Sequence, residues 1–149
     1  MSSSLIVSVY SPAPAAAAAF VDAGLDEFNI AAAPLDDVQS LHVIAQAPDG
    51  TVVGGAIGRT WGECCELQQL WVSAESRSTG IGTQLMDTFE QNAQSRGCQL
   101  LYLDTFSFQA PSFYRARGFE EVLRIEGFTS GVIKFTMQKR LTGSHAETS

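Results

Sequence analysis

The chain has 149 residues, a net charge of −7 and an apolar fraction of 45%, as expected for one globular domain rather than a disordered segment. The acidic balance argues against a nucleic-acid partner, because nucleic-acid-binding surfaces are normally basic. It is compatible with a cationic amine, and equally with charge that serves solubility alone. No apolar run approaches the roughly 20 residues of a membrane-spanning helix and Met1–Ser4 lacks a basic leader, so we expect a cytoplasmic protein with no membrane partner.

The first forty residues predict one strand and one helix. Leu5–Val9 alternates weakly and predicts a strand. The alanine-rich stretch from about Ala15 to Asn29 predicts a helix, either continuous or with a break at Gly24. Leu35–Gln39 is interpreted as a loop or a short helix.

Three strands are predicted next. Leu41–Ala47 and Thr51–Thr60 flank the turn Pro48-Asp49-Gly50, which is typical of a hairpin. A further strand is predicted over Cys64–Val72.

The clearest helix of the chain follows these strands. Ile81, Leu85, Phe89 and Ala93 recur at four-residue steps and form one apolar stripe. Gly97 favours a helix end just after that stripe.

The remaining elements alternate between strands and one short helix. We predict strands over Leu100–Phe106, Phe119–Ile125 and Val132–Lys139, and a short helix over Pro111–Arg117. This order predicts an α/β fold, a mixed sheet of six to seven strands flanked by helices, in one domain over 1–141. We expect the polar tail 142–149 to be disordered.

The cysteines give no sign of a metal or disulfide. Cys64, Cys65 and Cys98 are odd in number and lack CxxC spacing, so we expect reduced thiols and no bound metal.

A glycine turn precedes the amphipathic helix, with Arg77 before it and Gly80 and Gly82 within it. The first amides of a helix lack internal acceptors and carry the positive end of its dipole. The turn therefore predicts a diphosphate-like anion on the amides from about Ser78 to Thr83. Taken alone, the turn is explained equally well by two glycines with a purely structural role. Its sequence matches neither a Rossmann fingerprint nor a P-loop.

Two neighbouring segments change that balance: Leu70-Trp71-Val72 ends the preceding strand, and Phe113-Tyr114 with Gly118-Phe119 follows the next one. Here the sequence resembles the GNAT superfamily of N-acetyltransferases, whose coenzyme motif (R/Q)xxGxG matches Arg77, Gly80 and Gly82. A later family motif matches Tyr114 and the dipeptide Gly118-Phe119. The stretch 104–110, DTFSFQA, resembles one branch of small bacterial members.

The resemblance implies a centrally splayed, GNAT-like sheet with acetyl-CoA as co-substrate in the gap. It implies that Val72 supplies an amide to the thioester carbonyl, and that Ser107 stands where many relatives carry an asparagine contacting pantetheine. The residues that it places on the coenzyme are Leu70, Trp71, Val72, Arg77, Ser78, Thr79, Gly80, Ile81, Gly82, Thr83, Ser107 and Tyr114.

The resemblance also implies that Tyr114 is the general acid. A phenol of pKa about 10 stays protonated at neutral pH and can donate to a leaving thiolate of pKa about 8.5. Many relatives carry a glutamate where this chain has Gln68, which cannot accept a proton but can orient a water. Glu66 is the substitute candidate because strand alternation places it on the same face, and Asp104 or water alone is a further option.

The resulting hypothesis is acetyl transfer to a primary amine of a small molecule. Acetylation of protein or peptide amino groups and a non-catalytic acyl-CoA-binding domain are the alternatives, and a homodimer stays open. A closed pocket lined by Phe28, Trp61 and Phe108 would favour the small molecule, whereas a wide cleft would favour a peptide.

Overall fold

The computed structural model describes residues 4–141, which group into one unit up to Asp36 and another from Asp37 onward. The first unit contains α1, Ala15–Ala32. The helix continues through Gly24, so of the two alternatives the break is wrong, because the surrounding alanines strongly favour helix. Leu5–Val9 forms no strand, which corrects that expectation: alternation alone does not supply the partner strand that a ladder needs.

The predicted tail 142–149 lies outside the described residues, and the single domain stays a prediction. A 3-10 turn covers Leu35–Asp37, in agreement with the short helix or loop expected there.

The second unit contains six strands and two helices. Their bounds are β1 Gln39–Gln46, β2 Val52–Trp61, β3 Cys64–Val72, α2 Ile81–Ser95, β4 Leu100–Phe106, α3 Pro111–Ala116, β5 Glu120–Ile125 and β6 Lys134–Arg140. Short 3-10 turns cover Ala74–Ser76 and Thr129–Gly131.

The sheet has the order β1-β2-β3-β4-β6-β5. Its β3–β4 pair is parallel and its other pairs are antiparallel. A mixed sheet flanked by helices confirms the predicted α/β class. The β3–β4 pair lies in the middle of the sheet, and its strands can run parallel because α2 makes the crossover between them.

The apolar stripe of α2 packs against β1, β2 and β3. Leu85, Phe89 and Ala93 are buried, as the helical period predicts. A methyl group on Gly58 in β2 would lie 2.7 Å from the Phe89 ring and 2.1 Å from a backbone oxygen of β3. Glycine at this position therefore lets α2 and β3 approach β2 closely.

A buried carboxylate joins α2 to α3 and β6. Glu90 accepts hydrogen bonds from Arg117 Nη2 at 3.0 Å and from Lys139 Nζ at 2.7 Å. Arg117 also pairs with Asp87 at 2.8 Å. This network fixes α3, which carries Tyr114, relative to α2, which begins at the glycine turn.

Candidate active site

The two central strands separate halfway along their length. β3 and β4 pair only from Cys64–Leu100 to Leu67–Leu103, although both strands continue further. On the other side of β3 the register passes from Gly58–Leu67 to Ile57–Gln69, which leaves Gln68 as the extra residue of a β-bulge. A bulge bends its strand, and the divergence opens a V-shaped gap, as the splayed sheet implied.

Two adjoining cavities occupy this gap. The loop cavity, of about 650 Å³, is lined by Leu70, Trp71, Val72, Ser76, Arg77, Ser78, Gly80, Gly82, Thr83, Phe108, Gln109, Ala110 and Phe113. The strand cavity, of about 360 Å³, is lined by Leu67, Gln68, Gln69, Leu70, Trp71, Leu103, Asp104, Thr105, Gln109, Ala110 and Tyr114. They share Leu70, Trp71, Gln109 and Ala110, so they meet at one junction.

The wall of the loop cavity includes the glycine turn. Gly80 is the N-cap of α2 with φ of 87°, and Ser78 also has a positive φ, of 63°. The first α2 amide with an acceptor in the preceding turn is that of Gln84, which donates to Gly80 O at 3.0 Å. The amides from 81 to 83 have no such acceptor within residues 4–141, so they present donors at the positive helix end.

The end of β3 presents its backbone to the same cavity. Ser73 N–H donates to Val53 O at 2.8 Å, which makes the adjacent Val72–Gly54 pair a non-hydrogen-bonded pair of the antiparallel ladder. The Val72 amide therefore points away from β2 and into the gap. Arg77 Nε donates to Val72 O at 3.2 Å, which fixes the turn against the strand end.

The strand cavity contains the side chain of Tyr114. It is 7% exposed, and its ring lies edge-on to Phe113 and Phe119 at centroid distances of 5.3 and 5.6 Å. Burial raises the pKa of Tyr114 to about 12, since an apolar setting disfavours the phenolate. Among residues 4–141 its hydroxyl has no hydrogen-bond partner, and the residue lines the strand cavity.

The rest of the strand cavity is lined by polar and apolar residues in equal number. Gln68, Gln69 and Gln109 contribute amides and Asp104 a carboxylate. Asp104 accepts a hydrogen bond from Thr136 Oγ1 at 2.6 Å and pairs with Lys134 at 3.6 Å. The cavity therefore offers amide groups and one held negative charge to whatever occupies it.

Two of the residues expected at the site, Glu66 and Ser107, lie elsewhere. Glu66 pairs with Arg59 at 3.1 Å in a separate depression with Trp61 and Tyr102, away from Tyr114. The bulge at Gln68 explains the difference, because an extra residue interrupts the alternation that placed Glu66 and Gln68 on one face. Ser107 lines neither cavity, since its hydroxyl accepts from Ile133 N–H at 3.0 Å.

Thr79 and Ile81 also lie outside the cavity walls, and the Thr79 hydroxyl donates to Ser76 O within the turn. Phe108 lines the loop cavity, whereas Trp61 lies in the depression with Glu66. These two aromatic residues therefore do not close one pocket. Phe28 belongs to the first unit.

Sequence reasoning missed Gln109, which lines both cavities. Its only sequence signal was its position in the DTFSFQA stretch.

Among residues 4–141, no group of three or more His, Cys, Asp or Glu side chains is placed to hold a metal ion. No helix in the same range is both long and apolar enough to span a bilayer.

Comparisons with known proteins agree with this geometry. The acetyltransferase (GNAT) family model matches residues 13–119. Acetyltransferase Atu2258 of Agrobacterium fabrum is 29% identical over 113 residues, which cover 76% of this chain and 82% of that protein. Blasticidin-S acetyltransferase of Streptomyces morookaense is 30% identical over 112 residues, with coverage of 72% and 82%. The crystal structure of an acetyltransferase from Agrobacterium tumefaciens superposes with a TM-score of 0.78 at 27% identity, covering 91% and 99% of the two chains.

Proposed function

The chain belongs to the GNAT family of acetyltransferases, and from this premise we propose that it transfers an acetyl group from acetyl-CoA to a primary amine of a small molecule. The amine attacks the thioester directly, and Tyr114 protonates the sulfur that leaves. One observation carries the proposal: the two cavities meet at a junction with the anion-binding turn on one side and Tyr114 on the other.

The loop cavity suits the coenzyme. The amides from 81 to 83 and the positive end of α2 attract a diphosphate, and the Arg77 guanidinium adds a fixed cation to the same wall. From this seat the pantetheine arm runs along the backbone of Leu70, Trp71 and Val72 toward the junction. The Val72 amide, which points into the gap, is the donor for the thioester oxygen as negative charge develops there.

The chemistry needs one proton removed and one added. The amine nitrogen forms a bond to the carbonyl carbon, the carbon–sulfur bond breaks, the amine loses a proton and the sulfur gains one. A buried phenol of pKa about 12 stays protonated at any physiological pH, so Tyr114 is in the form that donates.

The amine must first lose its own extra proton. An alkylamine of pKa about 10.4 pays roughly 4–5 kcal/mol for this at pH 7. We assign the step to water oriented by Gln68, which lines the strand cavity. Asp104, held by Lys134 and Thr136, attracts the cationic amine. Glu66 has no part in this proposal, since its carboxylate is paired with Arg59 in another depression.

The size of the strand cavity and the charge of the chain favour a small acceptor over a protein. The strand cavity, of about 360 Å³, is within the usual range of roughly 300–1,000 Å³ for small-molecule sites. One relative is named for a small antibiotic, blasticidin S, and the net charge of −7 favours approach of a cation. A cytoplasmic location and a homodimer stay predictions from the sequence.

The acceptor class is tested by incubating the protein and acetyl-CoA with two panels. One panel holds small polyamines, amino sugars and amino-nucleosides, and the other holds peptides with free N-termini and lysines. Mass spectrometry then identifies every compound that has gained one acetyl group. Acetylation confined to the small-amine panel supports the proposal, whereas acetylation confined to peptides would replace it with a protein acetyltransferase.

A further inference from the structure

The turn between β4 and α3 contains a side-chain amide that the family motifs do not explain. Gln109 Oε1 accepts a hydrogen bond from Phe106 N–H at 2.8 Å and lies 3.4 Å from Thr105 Oγ1. The backbone amide of Gln109 in turn donates to Phe106 O at 2.9 Å. The residue is therefore tied at both its main chain and its side-chain oxygen, and its amide plane is held in one orientation.

This arrangement determines which half of the amide is left for a ligand. A carboxamide has one oxygen that accepts and one NH₂ that donates two hydrogen bonds. Because the oxygen is used inside the turn, the NH₂ is the part available outside it. Gln109 lines both the loop cavity and the strand cavity, and of the four residues at their junction only Gln109 carries a side-chain amide.

Ser107, which stands where many relatives carry an asparagine that contacts pantetheine, already uses its hydroxyl in another hydrogen bond. The Ser107 hydroxyl accepts from Ile133 N–H, and Ser107 N–H donates to Ile133 O at 2.7 Å. Ser107 therefore joins the turn to the segment before β6 and does not face either cavity. The pantetheine arm contains amide carbonyl oxygens that lose water when they enter a cleft, and each needs a donor to offset that loss.

We propose that the Gln109 NH₂ group is that donor, and that it holds a carbonyl oxygen of the pantetheine arm where the two cavities meet. This inference rests on the proposed function, because it requires acetyl-CoA to be the ligand of the loop cavity. It assigns a specificity role to Gln109: the residue recognises the arm of the coenzyme and not its nucleotide.

The test uses Gln109→Glu, which has nearly the same shape. A carboxylate still accepts from Phe106 N–H, so the turn is kept, but the NH₂ donor becomes an acceptor that faces the carbonyl oxygen. Calorimetry at pH 8 measures the affinity of the full chain for acetyl-CoA and for ADP, which lacks the arm. We expect the Kd for acetyl-CoA to rise about 10-fold and the Kd for ADP to stay within about twofold.

The other possible binding results distinguish a failure of the proposed function from a failure of the inference about Gln109. If the wild type does not bind acetyl-CoA, the proposed function fails. If the wild type binds and Gln109→Glu binds equally well, the proposed function stands and Gln109 is only a clamp for the turn. An equal loss for acetyl-CoA and ADP also overturns the inference, because it reports general repulsion of the phosphates. Gln109→Leu, which removes both acceptor and donor, should lose acetyl-CoA affinity and also melt at lower temperature.

Discussion

Replacing Tyr114 by phenylalanine removes one hydroxyl and keeps the ring. The ring is 7% exposed and lies edge-on to two other aromatic rings, and these contacts survive the change. The hydroxyl has no hydrogen-bond partner in the described part of the chain. We therefore expect the free energy of unfolding to change by less than about 1 kcal/mol.

The rate should respond far more strongly than stability. If the hydroxyl protonates the leaving sulfur, its help appears only as the carbon–sulfur bond breaks, so it lowers the barrier without tightening the ground state. We expect kcat to fall by roughly 10²–10⁴-fold. The KM for acetyl-CoA should change little, because Tyr114 does not line the loop cavity.

The pH dependence follows from burial. The folded-state pKa of Tyr114 is raised from 10.0 to about 12, so burial favours the neutral phenol. The resulting stability is fully present below pH 10 and is lost as the pH rises toward 12. Tyr114 stays protonated below about pH 10, so its ionisation should cause no fall in kcat/KM there. Over the same pH range kcat/KM should rise as the amine substrate loses its proton.

Steady-state kinetics with thiol detection and a thermal melt of the same Tyr114→Phe sample check these expectations. Unchanged kcat would refute the role of the hydroxyl in the slow step. A large loss of acetyl-CoA binding together with a lower Tm would show instead that Tyr114 is a packing residue.

Three further predictions concern the coenzyme seat, the core and the thiols. A Cβ added at Gly82 makes only ordinary contacts of 3.8–3.9 Å, so Gly82→Glu should keep the Tm, while its carboxylate in the wall of the loop cavity should abolish acetyl-CoA binding in calorimetry. Normal binding would place the phosphates elsewhere. Gly58→Ala puts a methyl group 2.1 Å from a backbone oxygen and should cost about 3 kcal/mol or more in denaturant unfolding. Gly24→Ala, with open space around it in α1, should instead stabilise that helix by about 0.5–1 kcal/mol. Native protein should react rapidly with a thiol reagent at exposed Cys64 alone, because burial raises the pKa of Cys65 to about 12; rapid labelling of Cys65 would contradict that burial.

The sequence predicted those elements whose pattern reflects burial on one face. Leu85, Phe89 and Ala93 of the α2 stripe are buried as expected, and Ile81 is partly buried. The strands over Cys64–Val72 and Leu100–Phe106 have the predicted bounds. Phe135 and Met137 alternate inward in β6. Leu5–Val9 was predicted from equally simple alternation and is not a strand, because pairing depends on a partner that local sequence does not encode.

The site was predictable where it depends on backbone conformation. Gly80 and Gly82 indicated a turn at the start of α2, which lines the loop cavity, and Tyr114, to which the family motif pointed, lines the adjoining strand cavity. The bulge at Gln68 was not predictable, since one extra residue in a ladder shows only against its partner strand. The role of Gln109 depends on hydrogen bonds to Phe106 and Thr105 that only the folded turn reveals.

The central claim is that acetyl-CoA gives its acetyl group directly to an amine at the junction of the two cavities. The most direct measurement follows free coenzyme A thiol and acetylated amine in the same reaction, with the best acceptor of the small-amine panel. The account predicts thiol release that requires the amine and equals the acetylated product at every time point. Binding of acetyl-CoA with no amine-dependent thiol release across the panel would contradict it and leave a non-catalytic acyl-CoA-binding domain.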